Sequence, residues 1–236
     1  MLWSLLLLAC LLFVLHLLTL PRWLVALCEH LPAVVFRIPT QSPLVALTFD
    51  DAPGDLTPQL LGLLKEHGAK ATFFVIGEEA VARPAQMRTL VSAGHELANH
   101  LLHDEPSWRL SPQQFASQAV RVEALLSPYR QGVCKRRWLR PGHGVVRPHM
   151  LRTAAQLGLT VVLGDCYGWD PRVKSGRLMA WLLLADVRPG SILILHDGAH
   201  SRSATLDALR IVLPELQRRG LRVGTLSELA SKQGQQ

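Results

Sequence analysis

Two adjacent carboxylates, Asp50 and Asp51, close the apolar run Leu44-Val45-Ala46-Leu47-Thr48-Phe49. Like charges at the end of a buried segment are costly unless a cation or another partner sits between them. Downstream lie His95, His100, His103 and Asp104, imidazoles with a carboxylate close by. Residues three or four apart share one helical face, so His100 with His103 or Asp104 could grip a single ion. Asp165 and the pair His196-Asp197 each follow a further apolar run. A mixed Asp/His set suits zinc or another first-row divalent ion better than calcium. Each group alone has a plain reading, a core histidine or an Asp-Asp-Ala-Pro turn. Together they point to one functional site.

The elements that must position these groups follow from the apolar pattern. Strand-like runs occupy 44–49, 71–76, 160–163, 191–195 and 221–226. Helical spacing is read at 57–67, 84–93, 112–126, 178–185 and 205–219, with Gly68, Gly94 and Gly220 as stops. Continuously apolar strands alternating with helices predict an α/β fold, a parallel sheet covered by helices and either open or closed into a barrel. In such a barrel the C-terminal strand ends share one face, where loops assemble the site. Asp50-Asp51, Asp165 and His196-Asp197 all fall at strand ends.

The chain has 236 residues, 49% of them apolar and 18% charged. So apolar a chain is not disordered, and four cysteines over this length do not make a disulfide-stapled miniprotein. The apolar excess is N-terminal. Residues 2–20 contain only Ser4, His16 and Thr19 as non-apolar members, and residues 23–28 extend the run past Pro21-Arg22. That length suits a bilayer span. A basic leader and a small-x-small cleavage site are missing, which favours an uncleaved anchor over a signal peptide. The expected layout is a hydrophobic signal-anchor or transmembrane helix at 1–28, a linker at 29–43, the domain at 44–230 and a polar tail at 231–236. Cys134 and Cys166 read as buried free thiols rather than a pair. The net charge of +7 lies almost wholly on the domain, which suits an anionic polymer, a wall or a membrane surface. Its basic residues are scattered without an aromatic-rich ribbon, so nucleic acid is not expected as a partner. No protein partner is evident.

Longer stretches around these residues carry a resemblance. Thr48-Phe49-Asp50-Asp51-Ala52-Pro53, Thr57-Pro58-Gln59-Leu60-Leu61 and residues 69–77 resemble the first motif region of the NodB-homology polysaccharide deacetylases. His95-Glu96-Leu97-Ala98-Asn99-His100 resembles that family's second motif and Arg140-Pro141-Gly142-His143-Gly144 its third. Residues 165–171 stand near the fourth, and Leu193-Ile194-Leu195-His196-Asp197 is similar to the fifth. The resemblance implies a distorted, incomplete (β/α) barrel. It also implies metal-dependent removal of N-acetyl groups from amino sugars, with metal-bound water as nucleophile. Carried over by position, Asp50 would be the general base, Asp51 and His100 metal ligands, and Arg140 the residue orienting Asp50. His196 would be the general acid, oriented by Asp170, and Leu195 would line the acetyl pocket. Such a set is chemically coherent: the metal lowers the pKa of water and polarises the carbonyl, and an imidazole delivers a proton. The implied cofactor is a divalent metal ion, zinc first, with cobalt, nickel or manganese as alternatives. The implied partner is an N-acetylated glycan, and from that chemistry the tethered domain is expected on the extracytoplasmic or lumenal side of a membrane.

Several positions depart from the family pattern. The second motif usually has a further His four residues after the first, with Ser or Thr directly after that first His. Here Leu101 follows His100, Asp104 stands four on and His103 three on. The family's Leu-Ser ten and eleven residues after the first His is present as Leu110-Ser111, so Asp104 takes the ligand position and His103 is the fallback. Ala52 replaces a usual Gly. Gly142-His143 stand where a bulkier pocket wall is usual, which would reshape the substrate subsite. Asp165 rivals Asp170 as the partner of His196. A degenerate member that binds glycan or metal without turnover is the alternative, and a metal hydrolase of another amide or a small ester is a third reading. Retention of Asp50, Asp51, His100, Arg140 and His196 together favours the enzyme.

Overall fold

The computed structural model describes residues 34–130, 136–198 and 203–233. The apolar segment 1–28 and Cys134 lie outside them, as do residues 234–236 of the polar tail. No helix among the described residues is long and apolar enough to cross a membrane. Cys166 is a buried free thiol, pushed well above its ordinary pKa by burial.

The sheet is built on β2 (Leu44–Ala52), buried along its length except at Asp51. It pairs with β3 (Thr72–Val75), with β8 (Ile192–His196) and, at its N-terminal end, with β9 (Arg222–Gly224). Beyond β3 the order continues through β4 (Glu96–Asn99), β5 (Arg137–Leu139) and β6 (Leu159–Val162) to β1 (Val34–Val35). Beyond β8 lies β7 (Cys166–Tyr167). Every pairing is parallel. Among the described residues β1 and β7 end the order without meeting, which leaves the expected barrel incomplete. A strand covered on both faces cannot alternate apolar with polar, and the run 44–49 is polar only at Thr48, which donates to the Leu193 carbonyl at 2.7 Å.

The covering helices are α1 (Thr57–Glu66), α2 (Gly77–Ala82), α3 (Pro84–Ser92), α4 (Pro112–Leu126), α5 (Pro148–Gln156), α6 (Gly176–Ala185), α7 (Ser203–Arg218) and α8 (Leu226–Ser231). The start of α4 is set by a capping box: Ser111 Oγ accepts from the Gln114 amide, and the Gln114 side chain accepts from the Ser111 amide. After α1 the chain turns at Gly68, φ +59°, a conformation that suits glycine.

Three expectations need correction. The stretch around His100 is not helical: 96–99 form β4 between β3 and β5, and His100 begins a loop. Burial of Leu97, Ala98 and Asn99 in the sheet overrides the i, i+4 pattern. The expected linker is partly structural, because Val34–Val35 form β1 against Val161 and Val162, and Ile38 is buried with its amide on the Gly190 carbonyl. The last apolar run is shorter than expected and gives way to α8 at Leu226, which Thr225 caps by accepting from the Glu228 amide.

Asp165 sits between β6 and β7, where its carboxylate accepts from the Ile192 amide at 2.6 Å and the Ser191 hydroxyl at 2.9 Å. Burial pushes its pKa up to about 6. A carboxyl raised above its unfolded value, ~3.9, stabilises the fold when protonated, and that contribution is lost as pH rises toward 6. Thermal unfolding should therefore show stability falling between pH 4 and 6, by up to about 3 kcal/mol from this group. Asp165→Asn should remove most of that share. An unchanged pH slope in the variant would contradict the assignment.

Candidate active site

Asp50 and Asp51 lie within the last residues of β2, and Asp50 stands in register with His196 at the end of β8. The parallel register thus brings base and acid candidates side by side. Arg140 follows β5. Its amide donates to the Asn99 carbonyl at 2.9 Å, which ties it to β4. Its guanidinium crosses the barrel interior: Nη1 donates to Asp50 Oδ1 at 2.6 Å and Thr48 Oγ1 at 2.8 Å, and Nε donates to the Val162 carbonyl at 3.2 Å. The guanidinium carbon lies 4.1 Å from the Phe74 ring centroid. Burial pulls the Arg140 pKa down and Asp50 opposes that pull.

The two imidazoles are held alike. His100 Nδ1 lies 2.7 Å from the Arg140 carbonyl oxygen, and its Nε2 lies 3.4 Å from Asp51 Oδ1. A nitrogen facing a carbonyl carries the proton, so Nε2 is the position free to accept or to ligate. Burial disfavours the charged form of His100, but the Asp50 and Asp51 carboxylates outweigh it and raise its pKa. His196 Nδ1 lies 2.7 Å from Asp170 Oδ1, and its amide donates to Asp170 Oδ2 at 2.7 Å. Its Nε2 points back to Asp50 Oδ2 at 4.0 Å. Burial works against protonation here too, yet Asp170, Asp50 and Asp51 bring the His196 pKa up to about 9. Asp170 is therefore the partner of His196, and Asp165 is a structural clamp.

Backbone strain collects at this face. Among the described residues, the non-glycine residues with positive φ are Asp51, Leu101, His143 and Trp169, at 59°, 68°, 61° and 56°. Each is an expected site residue or the neighbour of one, and each such conformation costs about 1 kcal/mol for an L-residue. Ala52, in contrast, takes no positive φ, so its replacement of glycine costs nothing there. A clamp that sequence reasoning missed holds the strained β2–α1 turn. Asp197 Oδ2 accepts from the Gly54 amide at 3.0 Å and from the Thr57 hydroxyl, and the Asp197 amide donates to the Asp50 carbonyl at 2.8 Å. Burial raises the Asp197 carboxyl to about 6. A Cβ on Gly198 would stand 2.6 Å from Asp51 Cβ, so the chain can pass behind that carboxylate only without a side chain.

The remaining expected residues are placed less simply. Asp51 and His100 meet, but Asp104 is exposed on the following loop and His103 Nδ1 lies 2.6 Å from Glu78 Oε1. Among the described residues no three His, Cys, Asp or Glu side chains form a metal-holding group. The expected Asp51/His100/Asp104 triad is thus present as a pair. Leu195 is fully buried in the main core and offers no surface to an acetyl group. Gly142 donates its amide to Ser107 Oγ at 2.7 Å, and a Cβ there would lie 2.6 Å from the Glu105 carbonyl oxygen. His143 is exposed at the rim. His95 is a core residue: its Nδ1 accepts from the Ala71 amide at 3.2 Å, and burial lowers its pKa to about 4.

A parallel incomplete barrel with a buried Asp–Arg pair, an Asp–His pair and a second Asp facing His defines a hydrolase-like site on the C-terminal strand face. Comparison with known proteins identifies its class. The polysaccharide deacetylase family model matches residues 37–162, and the chain belongs to that family. A Bacillus cereus protein described as peptidoglycan-N-acetylglucosamine deacetylase is 31% identical over 202 residues, covering 83% of this chain and 92% of its own. A Sinorhizobium fredii chitooligosaccharide deacetylase is 36% identical over 209 residues, covering 81% and 94%. The crystal structure of a peptidoglycan N-acetylglucosamine deacetylase superposes with a TM-score of 0.80 at 27% identity, covering 87% of this chain and 96% of that one.

If Asp170 sets the charge of His196, the imidazole of the metal-free protein should titrate near 9 by NMR. Asp170→Asn should lower that value by more than one unit, because the remaining cause of largest size is burial. A titration that stays near 9 in the variant would show that Asp170 does not set it.

Proposed function

We propose that this protein hydrolyses the N-acetyl group of amino sugars in a glycan, with the reacting carbonyl placed between Asp50, Asp51, His100 and His196. The observation that carries this reading is the paired arrangement of two proton carriers, each with its own orienting partner and both aimed at one point. Arg140 holds one oxygen of Asp50 and leaves Oδ2 toward the site, where it can take a proton from water. His196, charged and anchored by Asp170, can give a proton from Nε2 to the departing amine. Asp51 and His100 fit a first-row divalent ion. Their donor atoms face each other, and Nδ1 of His100 is committed to a backbone carbonyl, the usual second contact of a metal-bound imidazole. Such an ion, zinc first with cobalt, nickel or manganese as alternatives, would polarise the acetamide carbonyl and lower the pKa of water. Asp104 on its exposed loop would be the third protein ligand.

The tether is part of the proposal. Residues 1–28 would anchor the chain in a membrane, with the domain outside the cytoplasm or in a lumen, where a glycan is met.

Acetate release from N-acetylglucosamine oligomers tests the activity. Asp50→Asn and His196→Ala should each reduce kcat by about 10²- to 10⁴-fold. Failure of the metal-supplemented wild type on every glycan tried would leave the binding-only reading in its place. Metal content by elemental analysis should fall in Asp104→Ala and persist in His103→Ala; the reverse would make His103 the ligand.

A further inference from the structure

We infer that the glycan is acidic, and that its carboxylate groups are read at the rim by Arg109 and Arg147, packed around Trp108, with Arg172 on Trp169 opposite. The inference rests on the deacetylase reading and specifies its substrate. Three observations carry it.

The first is position. Ser107–Arg109 form a short 3₁₀ turn in the chain after β4, and 142–147 form the loop after β5. The two are tied by the Ser107 Oγ to Gly142 amide bond at 2.7 Å. Gly142 is two residues from Arg140, and β5 pairs with β4, β4 with β3 and β3 with β2, all in parallel. These loops therefore rise from the same strand ends as Asp50 and His196. Arg172 follows Asp170 in the loop after β7, on the other flank.

The second is what these arginines pack against. The Arg109 guanidinium lies 4.9 Å from the Trp108 ring centroid and that of Arg147 lies 6.0 Å from it, while Arg172 lies 5.8 Å from Trp169. Indole faces hold a guanidinium plane in place without neutralising it. All three arginines are exposed.

The third is what they lack. Elsewhere, Arg83 pairs with Asp55 and Glu79, Arg130 with Glu123, Arg210 with Asp207, Arg218 with Glu215 and Arg222 with Glu228, while Arg88, Arg121, Arg152 and Arg177 are unpaired among the described residues but stack on no aromatic ring. Among the described residues Arg109, Arg147 and Arg172 make no ion pair. The nearest acids in sequence do not serve them: Glu105 accepts from Gln118 Nε2 at 2.7 Å, and Asp170 is spent on His196. Aromatic faces with ordered, unneutralised guanidinium groups beside a hydrolytic centre suit a sugar chain that carries anions. A neutral polymer would leave those charges without use.

The test compares kcat/KM of the full-length protein on three probes. They are N-acetylglucosamine hexamer, oligomers alternating N-acetylglucosamine with N-acetylmuramic acid, and oligomers alternating N-acetylglucosamine with glucuronate. The acidic probes should be preferred, and the preference should shrink as NaCl rises from 0.05 to 0.5 M, roughly the range over which screening shortens to a few ångströms. Arg109→Ala with Arg147→Ala should raise KM on the acidic probes by roughly three- to tenfold, about threefold per exposed charge. Arg109→Lys with Arg147→Lys should keep most of the preference. The two acidic probes separate a requirement for the lactyl carboxylate from one for any carboxylate. Equal or better turnover of the neutral hexamer would overturn the inference, as would a preference that survives the double alanine variant. If no probe is turned over, the deacetylase reading fails by itself. Calorimetric binding of the same probes to Asp50→Asn then decides the rim: tighter, salt-sensitive binding of the acidic oligomers supports it, and equal affinities refute it.

Discussion

The site depends on a buried cation. Arg140 is 3% exposed, and a guanidinium taken out of water at that depth is costly unless its charge is matched and most of its donors are used. Asp50 matches the charge. Thr48 and the Val162 carbonyl use further donors, Phe74 covers one face of the plane, and Nη2 is buried with no partner among the described residues. The same residue's main chain carries His100 through its carbonyl and joins β4 through its amide. One arginine thus aims Asp50, the proposed base, with its side chain and His100, a metal-ligand candidate, with its backbone. Removing it would leave Asp50 buried beside Asp51 with only the imidazoles of His100 and His196 to offset the two charges.

Around that pair the fold supplies rigidity at some cost. Asp51, Leu101, His143 and Trp169 sit in the left-handed region, and the sheet register, the Asp197 clamp and the side-chain-free passage at Gly198 keep Asp51 there. Strain of this kind persists only where the surroundings over-determine it. Asp165 performs the corresponding task on the far side of β8, where it joins the β6–β7 turn to Ile192. Two buried aspartates thus hold the frame, and Asp50, Asp51 and Asp170 surround the two imidazoles.

Much of this was legible in the residue order because long apolar runs leave few options. The core of β2 and all of α4 are where periodicity puts them. β4 was hidden: four residues with Glu96 and Asn99 in them have no strand signature of their own and become one through pairing on both sides. β1, β5 and β7, at two or three residues, are below what any periodicity can reveal. Asp165 and Asp170 could not be told apart by spacing, because the choice rests on which turn faces His196. Asp197 was grouped with His196 at a strand end, and only the fold shows its carboxylate turned toward Gly54 and Thr57. The rim arginines looked like scattered surface charge, and their meeting on Trp108 is a tertiary fact.

A double-mutant cycle on folding stability, with Arg140→Met, Asp50→Asn and both together, measures the interaction on which this account stands. Loss of either partner of a buried ion pair costs about 3–5 kcal/mol, largely through the charge left behind. Arg140→Met alone should therefore be strongly destabilised, and adding Asp50→Asn should restore much of the loss, a coupling of about 2 kcal/mol or more. Additive effects, with coupling within about 0.5 kcal/mol, would contradict the claim that Arg140 exists to hold the base.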